Sequence, residues 1–165
     1  MKILGIDPGF AIVGCGVVEY TGNQFTVIGH TAVTTKAGLP LEQRLKTIYE
    51  DVGGIIDRYQ PDAVAVEELF FNTNTTTAIQ VGQARGVILL SAVNRGVEIA
   101  EYTPLQVKQA VVGYGRADKH QIQQMVKMIL NLKEIPKPDD VADGLALAIC
   151  HAHSYRMNSR TVLGR

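Results

Sequence analysis

The chain opens with a short apolar strand that carries a carboxylate to its own end. Residues 2–6 are mostly apolar, Asp7 follows them, and Pro8-Gly9 then favours a turn. An acidic residue in this position is often only a turn-forming residue whose side chain bonds its own backbone. Further carboxylates that converge on the same point would instead indicate a chemical site, so the rest of the chain decides the role of Asp7.

Length and composition indicate one globular domain. At 165 residues the chain can bury a real hydrophobic core, and 46% hydrophobic with 19% charged residues argues against disorder or a coiled coil. We expect a single domain over residues 1–156 and a mobile tail without periodicity over residues 157–165. No segment has the roughly 18 continuous apolar residues of a membrane span. Two distant cysteines, Cys15 and Cys150, fit a reduced, cytoplasmic protein.

The formal net charge of zero conceals an uneven distribution along the chain. Residues 1–100 carry seven Lys and Arg against ten Asp and Glu, whereas residues 101–165 carry nine against six. The excess positive charge in the last third weakly favours an anionic partner, although a solvated charged face would give the same count.

Runs of β-branched residues and helical periodicity predict an α/β fold. The first 35 residues predict an antiparallel three-stranded meander, the short apolar run at 63–66 predicts a buried parallel strand, and residues 97–102 are a further candidate for a parallel strand. A segment at 78–94 is apolar nearly all round, which predicts a central helix, and its small residues suit close packing on the sheet or on another chain. Further helices are predicted at 41–59, 105–112 and 139–155, with Thr103 as the cap of the helix at 105–112. Asp118 is predicted to cap one more helix, whose apolar face includes Ile122 and Ile129.

Acidic side chains recur where two later elements begin or end. The strand at 63–66 runs into Glu67-Glu68, so it delivers a carboxylate at its end as the first strand does. The last predicted helix begins with Asp139-Asp140, and Asp143 lies one turn later. Because residues three or four apart share a helix face, Asp143 pairs there with either Asp139 or Asp140. Two carboxylates beside an apolar helix surface are costly unless cations accompany them.

Three or four carboxylates from separate elements form the ligand set of a two-magnesium centre. Hard divalent cations prefer carboxylate oxygens, and two such ions about 4 Å apart stabilise both the attacking and the leaving oxygen of a phosphoryl transfer. Acid–base catalysis by two carboxylates, as in glycosidases, is an alternative use of such groups, but it leaves the additional carboxylates unexplained. The four histidines are interpreted as structural or surface residues.

Five motifs lie in a recognisable order between residue 5 and about Ser154. They are Gly5-Ile6-Asp7-Pro8-Gly9, Val66-Glu67 followed by Phe70, Gly82-Gln83-Ala84-Arg85-Gly86, Gln106-Val107-Lys108-Gln109 with Val112-Gly113, and Ala142-Asp143 with Leu145-Ala146. Together they resemble the RuvC family of Holliday junction resolvases. The resemblance implies a ribonuclease H-like fold, which is a mixed five-stranded sheet flanked by helices, in a homodimer with two separate active centres.

The resemblance also implies which carboxylates are catalytic and what they bind. It selects Glu67 over Glu68 and Asp140 over Asp139. With these choices Asp7, Glu67, Asp140 and Asp143 are the expected catalytic residues and ligands of two Mg²⁺ ions per active site, with Mn²⁺ able to substitute. The expected reaction is paired, symmetric nicking of a four-way DNA junction, which leaves a 5′-phosphate and a 3′-hydroxyl. The glycines and proline beside Asp7 are then expected to give clearance to the DNA backbone and its metals.

Four residues are predicted to contact DNA. Lys108 and Lys119 match family positions for phosphate contact, and they lie in the basic last third of the chain. Phe70 matches an aromatic residue that the family places against an unstacked base, although core packing is its alternative role. Arg116, in a glycine-flanked loop, is a further expected contact. The resemblance also implies a preference for short thymine-containing sequences and a branch-migration complex, RuvA and RuvB, as partner.

Other functional classes share parts of this pattern. The opening strand and turn also resemble the phosphate loop of actin-like and sugar-kinase ATPases, but those proteins need a second nucleotide-binding half, for which 165 residues leave no room. A non-catalytic junction-binding module and a ribonuclease of the same fold are the remaining alternatives. The complete set of carboxylates argues against the first of these two.

Overall fold

A computed structural model of the chain describes residues 1–68 and 75–163. Its strands are β1 (Lys2–Asp7), β2 (Ile12–Thr21), β3 (Gln24–Thr34), β4 (Ala63–Glu67) and β5 (Glu98–Tyr102). Its helices are α1 (Leu41–Tyr59), α2 (Thr75–Val93), α3 (Pro104–Val112), α4 (Lys119–Ile129) and α5 (Asp139–Leu163). The order of strands and helices is the α/β pattern that the sequence predicts.

The five strands form one mixed sheet in the order β3-β2-β1-β4-β5. β2 pairs antiparallel with both β1 and β3, which confirms the predicted meander. β4 pairs parallel with β1, and β5 pairs parallel with β4, as predicted for the two later strands. Because β1 and β4 are parallel neighbours, their carboxyl ends meet at one edge of the sheet. Asp7 and Glu67 are the last residues of these two strands.

Helices cover both faces of the sheet, so successive residues of one strand enter two different cores. In β1, Ile3 packs in the core that α3, α4 and α5 help to form, whereas Leu4 and Ile6 pack in the core with α1 and α2. All three side chains are completely buried. In the described part of the chain, no helix combines the length and apolar character that a membrane crossing requires.

Helix α5 lies directly against the backbone of β1 and β2. A Cβ atom on Gly5 would overlap the Gly144 carbonyl, and a Cβ atom on Gly14 would overlap the Asp140 carbonyl. Only glycine permits such an approach at both positions. The expectation that glycines beside Asp7 give clearance to DNA is wrong for Gly5, because the protein's own helix fills that space.

Helix α5 is also longer than the sequence predicts. It continues to Leu163, past the predicted end at residue 155 and into the predicted tail. The segment after residue 156 lacks hydrophobic periodicity, but it contains no glycine or proline before residue 164 that would end a helix.

Helix α2 does not have the central position that its apolar sequence predicts. Ala84, Ile88 and Ala92 are buried in the core that α1 and one face of the sheet form with α2. On other sides of the helix Leu90 is 51% exposed and Val93 is 60% exposed. The prediction is wrong because apolar composition alone does not say which sides of a helix the same chain covers.

Candidate active site

A cavity of about 270 Å³ opens at the edge of the sheet where β1 and β4 end. Three carboxylates line it, those of Asp7, Glu67 and Asp143, and the lysines Lys108 and Lys119 line it as well. The acids come from two strands and the start of α5, and the lysines come from α3 and α4. The fold therefore brings together five predicted site residues that are far apart in sequence.

Asp7 has the most strongly perturbed carboxyl group of this cavity. Burial, followed by the carboxylates of Asp143, Glu67 and Asp140, raises the pKa of Asp7 from 3.8 to about 8, against the opposing effect of Lys119. The three neighbouring acids lie on other elements of the fold. Their combined effect on Asp7 shows that the predicted carboxylates converge on one place.

The other two lining acids are also harder to ionise than usual. Burial, and then the charge of Asp143, raises the pKa of Glu67. Burial raises the pKa of Asp143 as well, in spite of the ammonium group of Lys119 that lies 3.2 Å from its Oδ2 atom. A positive charge placed among these half-buried acids would stabilise their ionised forms.

The contact between α5 and β2 places Asp140 beside Asp7. Asp7 lies opposite Gly14 in the β1–β2 ladder, and the backbone of Asp140 rests on Gly14. Asp140 accordingly contributes to the raised pKa of Asp7. Spacing along the helix leaves both Asp139 and Asp140 as partners of Asp143, and the arrangement of Asp140 agrees with the choice that the family resemblance makes.

Asp139 has a different role, which the sequence does not reveal. Its Oδ1 atom accepts a hydrogen bond from Lys137 Nζ at 2.8 Å, and its Oδ2 atom lies 3.7 Å from Lys119 Nζ. Lys119 Nζ also lies 3.2 Å from Asp143, so Asp139 helps to hold that ammonium group at the cavity. No local signal could have predicted this contact, because Lys119 belongs to a separate helix.

Capping residues position the two lysines. Thr103 caps α3 and Asp118 caps α4, each through a capping box in which side chain and backbone bond reciprocally. Both caps confirm the sequence prediction. Lys119 is the first residue of α4, directly after its cap, and Lys108 lies one turn into α3. The start of each helix is therefore fixed beside the cavity.

Among the described residues, two further predicted site residues, Asp140 and Arg116, are absent from the lining of this cavity. Arg116 is exposed and is absent from the lining residues of the described chain. Phe70 lies outside the described residues, so its contact with DNA stays a prediction. Glu68, the alternative to Glu67, is exposed and does not line the cavity. Two histidines have structural contacts, as predicted: His151 bonds Tyr102 Oη at 2.9 Å, and His153 lies 3.1 Å from a backbone carbonyl.

The donor set of the cavity fits a hard divalent cation by its chemistry. Carboxylate oxygens are the ligands that such cations prefer. Burial and the neighbouring carboxylates raise the pKa of Asp7 to about 8, and a cation bound beside it would favour its ionised form. Over residues 1–68 and 75–163, however, no three acidic, histidine or cysteine side chains are arranged as a ready-made metal site. The carboxylates would therefore have to draw closer together around an ion.

Comparisons with known proteins agree with the motifs and the fold. A family model described as crossover junction endodeoxyribonuclease RuvC matches residues 3–151. The chain belongs to the RuvC family. The crossover junction endodeoxyribonuclease RuvC of Alkaliphilus oremlandii is 64% identical over 154 residues, which cover 93% of this chain and 94% of the relative. The resemblance that the five motifs indicate is thus confirmed.

Solved RuvC structures have the same architecture. A Thermus thermophilus RuvC structure aligns with a TM-score of 0.89 at 40% identity, over 96% of this chain and 97% of that one. A T. thermophilus RuvC in complex with a Holliday junction substrate aligns with a TM-score of 0.87 at 39% identity, over 95% and 96% of the two chains. The predicted ribonuclease H-like fold, a mixed five-stranded sheet flanked by helices, is confirmed.

Within this RuvC-family chain, four of the five motifs contribute a residue to one cavity. Their charged residues at the cavity are Asp7, Glu67, Lys108 and Asp143, and the apolar Val107 and Ala146 line it as well. The motif at residues 82–86, on α2, contributes none of the lining residues.

Proposed function

We propose that this chain resolves four-way (Holliday) DNA junctions by paired, symmetric nicks, as an endonuclease of recombination and DNA repair. The observation that carries the proposal is the convergence of Asp7, Glu67 and Asp143 on one cavity beside two lysines. The name shared by the relatives supports the reaction, and the T. thermophilus RuvC complex with a Holliday junction supports the substrate.

The proposed cofactor is a pair of Mg²⁺ ions per active centre, for which Mn²⁺ can substitute. Asp7, Glu67, Asp140 and Asp143 would hold them. When bound, such ions stabilise the charge on the attacking and leaving oxygens of a phosphodiester, which leads to a 5′-phosphate and a 3′-hydroxyl. The chain's own contribution is to present these oxygen ligands from two strand ends and from the first turn of α5, where partial burial strengthens their attraction for cations.

The two lysines of the cavity are proposed to bind the phosphate groups that flank the scissile bond. Lys119 Nζ already lies 3.2 Å from Asp143, so its charge is available at the place where a phosphate would enter. Arg116, exposed in its loop, and Phe70 are proposed to contact DNA farther from the reacting bond. These contacts would orient the junction and would not take part in the chemical step.

Two opposed nicks require two active centres, so we propose that the chain works as a homodimer. Helix α2 exposes an uncharged surface formed by Ile79, Gly86, Leu90 and Val93, here called the α2 face. Their spacing of seven, four and three residues places them on one side of the helix. A Cβ atom on Gly86 would meet no neighbouring atom, so a second α2 could approach closely there. RuvA and RuvB as partners, and action in the cytoplasm, complete the proposal.

A nicking assay tests the function directly. The protein is incubated with a four-way junction, a linear duplex of the same sequence, and an RNA–DNA hybrid, first with Mg²⁺ and then with a chelator. We expect symmetric nicks in the junction alone, and only with Mg²⁺. Cleavage of the hybrid would instead indicate a ribonuclease, and binding without cleavage would indicate a non-catalytic junction-binding module.

A matched pair of variants tests the site. Asp7→Asn should slow cleavage by about a thousandfold or more, since metal-based charge stabilisation contributes several kcal/mol and each 1.4 kcal/mol is tenfold in rate. Junction binding should be largely retained. Glu68→Gln, which removes an exposed acid next to Glu67, should leave the cleavage rate unchanged. Full activity of Asp7→Asn would remove Asp7 from the site.

A further inference from the structure

Arg85, in the motif at residues 82–86, reaches from the middle of α2 to the end of β4. Its Nε atom donates a hydrogen bond to the backbone carbonyl of Glu67 at 3.1 Å. One terminal nitrogen, Nη2, bonds a carboxylate oxygen of Glu101 on β5. The Arg85 side chain is only 16% exposed. The guanidinium group therefore contacts the residue that delivers a carboxylate to the cavity, although it does not line the cavity itself.

These contacts hold the last rung of the sheet at the active edge. Glu67 pairs with Tyr102, and Val66 pairs with Glu101, where β4 meets β5. The Glu68 amide then donates to the Tyr102 carbonyl at 2.8 Å, after which β4 ends. Arg85 therefore joins α2 to β4 and β5 at the point where the pairing of these two strands ends.

A bond to the Glu67 carbonyl also restrains the direction of the Glu67 side chain. The carbonyl carbon and the Cβ atom of Glu67 are both bonded to its tetrahedral Cα atom. Fixing the direction of the carbonyl group therefore limits the directions in which the side-chain carboxylate can point. The planar guanidinium group is suited to this task because its several N–H groups act in fixed directions. A single ammonium group could not serve both partners with the same geometry.

We propose that Arg85 is a positioning residue that aims the Glu67 carboxylate into the active-site cavity through the Glu67 backbone. It touches neither substrate nor metal in this proposal. Glu101 is assigned a supporting role, because it holds the guanidinium group in the orientation that lets Nε reach the carbonyl. The proposal rests on the proposed nuclease function, since it concerns the efficiency of that site.

The experiment compares Arg85→Gln and Arg85→Lys with Arg95→Gln as the matched control. Arg95 also forms an ion pair through its Nε atom, with Asp57 of α1 at 2.9 Å, but it lies just after the end of α2 and does not line the active-site cavity. For each variant, the cleavage rate of the four-way junction is measured over a range of Mg²⁺ concentrations. Binding of Mn²⁺ is measured separately by electron paramagnetic resonance, and junction affinity is measured in Ca²⁺.

We expect Arg85→Gln to lower the maximal cleavage rate by about tenfold to a hundredfold, because a small misplacement of a catalytic group has effects of this size. It should raise the half-saturating Mg²⁺ concentration and the Mn²⁺ dissociation constant severalfold, with unchanged junction affinity. Arg85→Lys should be nearly as defective. Arg95→Gln should show the Mg²⁺ and Mn²⁺ dependence of the unchanged protein.

A purely structural role would give a different result. Arg85→Gln would then lower the thermal midpoint and the fraction of active protein, while the half-saturating Mg²⁺ concentration and the Mn²⁺ affinity of the folded fraction stayed constant. That outcome would overturn the proposal. If Arg85→Gln does not fold, Arg85→Lys keeps the charge and decides the matter by the same two metal measurements.

A double variant tests the part played by Glu101. If Glu101 acts through Arg85, Glu101→Gln should cause a smaller defect than Arg85→Gln, and the double variant should match Arg85→Gln alone. Additive defects would overturn the supporting role of Glu101. If the unchanged protein does not cut junctions at all, the proposed nuclease function is wrong. If the unchanged protein cuts junctions and the Arg85 variants cut them equally well, only the role of Arg85 is wrong.

Discussion

The middle parts of helices α5 and α2 are both apolar, but they have opposite surroundings. Each contains several alanines and branched apolar residues, without a strong separation into polar and apolar sides. In α5, every residue from 144 to 152 is buried against the sheet and its neighbouring helices. In α2, Ala84 and Ile88 are buried while Leu90 and Val93 are more than half exposed. An apolar sequence alone therefore does not tell whether the chain's other elements enclose a helix completely or leave one side of it exposed.

The two helices also serve the same edge of the sheet from opposite faces. α5 brings Asp143 to the cavity and Asp140 close to Asp7 by resting on the glycines of β1 and β2. α2 reaches Glu67 through Arg85, and it leaves the α2 face uncovered. We therefore expect α5 to depend on internal packing and charge, and α2 to depend on a second chain.

The largest effect is expected where α5 meets β1. Gly5→Ala would place a methyl group on the Gly144 carbonyl, and because both partners are backbone, neither can turn aside. We expect a loss of about 3 kcal/mol or more in the free energy of unfolding, together with loss of cleavage. Urea denaturation measures the first quantity. Gly86→Ala is the control on α2, where the same methyl group meets open space and should not destabilise the monomer.

The next largest effect concerns pH and is confined to the α5 side. The pKa of Asp7 is about 8 in the folded protein against an ordinary value of 3.8, so between these pH values the folded protein retains a proton that the unfolded chain releases. The free energy of unfolding in chelator should therefore fall as pH rises from about 4 to about 8. At about 1.4 kcal/mol per pKa unit, the loss can reach a few kcal/mol.

Denaturation at several pH values, with and without Mg²⁺, checks this dependence. Mg²⁺ should restore stability at the alkaline end. Asp7→Asn should flatten the profile and should make the metal-free protein more stable at high pH. A profile that Asp7→Asn leaves unchanged would show that Asp7 is not the titrating group. Dimerisation through the uncharged α2 face should not follow the same pH profile.

A charge on the α2 face should break the proposed dimer without harming the fold. Leu90→Asp places a carboxylate in the middle of this surface, and we expect the dimer dissociation constant to rise by about a hundredfold, which corresponds to about 2.7 kcal/mol. Analytical ultracentrifugation measures it. Met128→Asp is the control, because Met128 is 70% exposed on α4. Equal effects of the two substitutions would argue against the α2 face as the interface.

The smallest effect on stability is expected for the ion pairs of Lys119 with α5. The Lys119 side chain is 57% exposed, and exposed ion pairs contribute less than about 1 kcal/mol. Lys119→Ala should therefore leave unfolding almost unchanged. It should nevertheless weaken junction binding and reduce the salt dependence of binding by about one unit of slope. Lys46→Ala, on α1, should do neither, and an unchanged salt slope for Lys119→Ala would mean that Lys119 does not meet phosphate.

Much of the fold and of the site could be predicted because the signals are local. The Thr103 and Asp118 caps, the antiparallel meander and the two parallel strands all follow from turn residues and periodicity within short segments. Asp7 and Glu67 stand out because each follows an apolar strand. The end of α5 was harder to predict, because its last residues lack periodicity, and the choice between Asp139 and Asp140 required the family resemblance.

Other features depend on contacts between segments that are distant in the chain. The Arg85 bond to the Glu67 carbonyl joins a helix to a strand end 18 residues earlier, and no spacing rule connects them. Asp139 gained its contact with Lys119 only through the packing of α4 beside α5. The free side of α2 could not be foreseen, because its exposure depends on how far the chain's other elements extend.

By itself, the sequence determined which segments become strands and helices and which of them end in carboxylates, since hydrogen bonding and side-chain periodicity act over a few residues. Only the tertiary structure decided that α5 lies on the glycines beside Asp7, that Arg85 restrains Glu67, and that α2 keeps an uncovered face. The physical reason is that close packing depends on which segments meet in space. The glycines of β1 and β2 contact α5 only in the folded chain, where the sheet and the helix lie together.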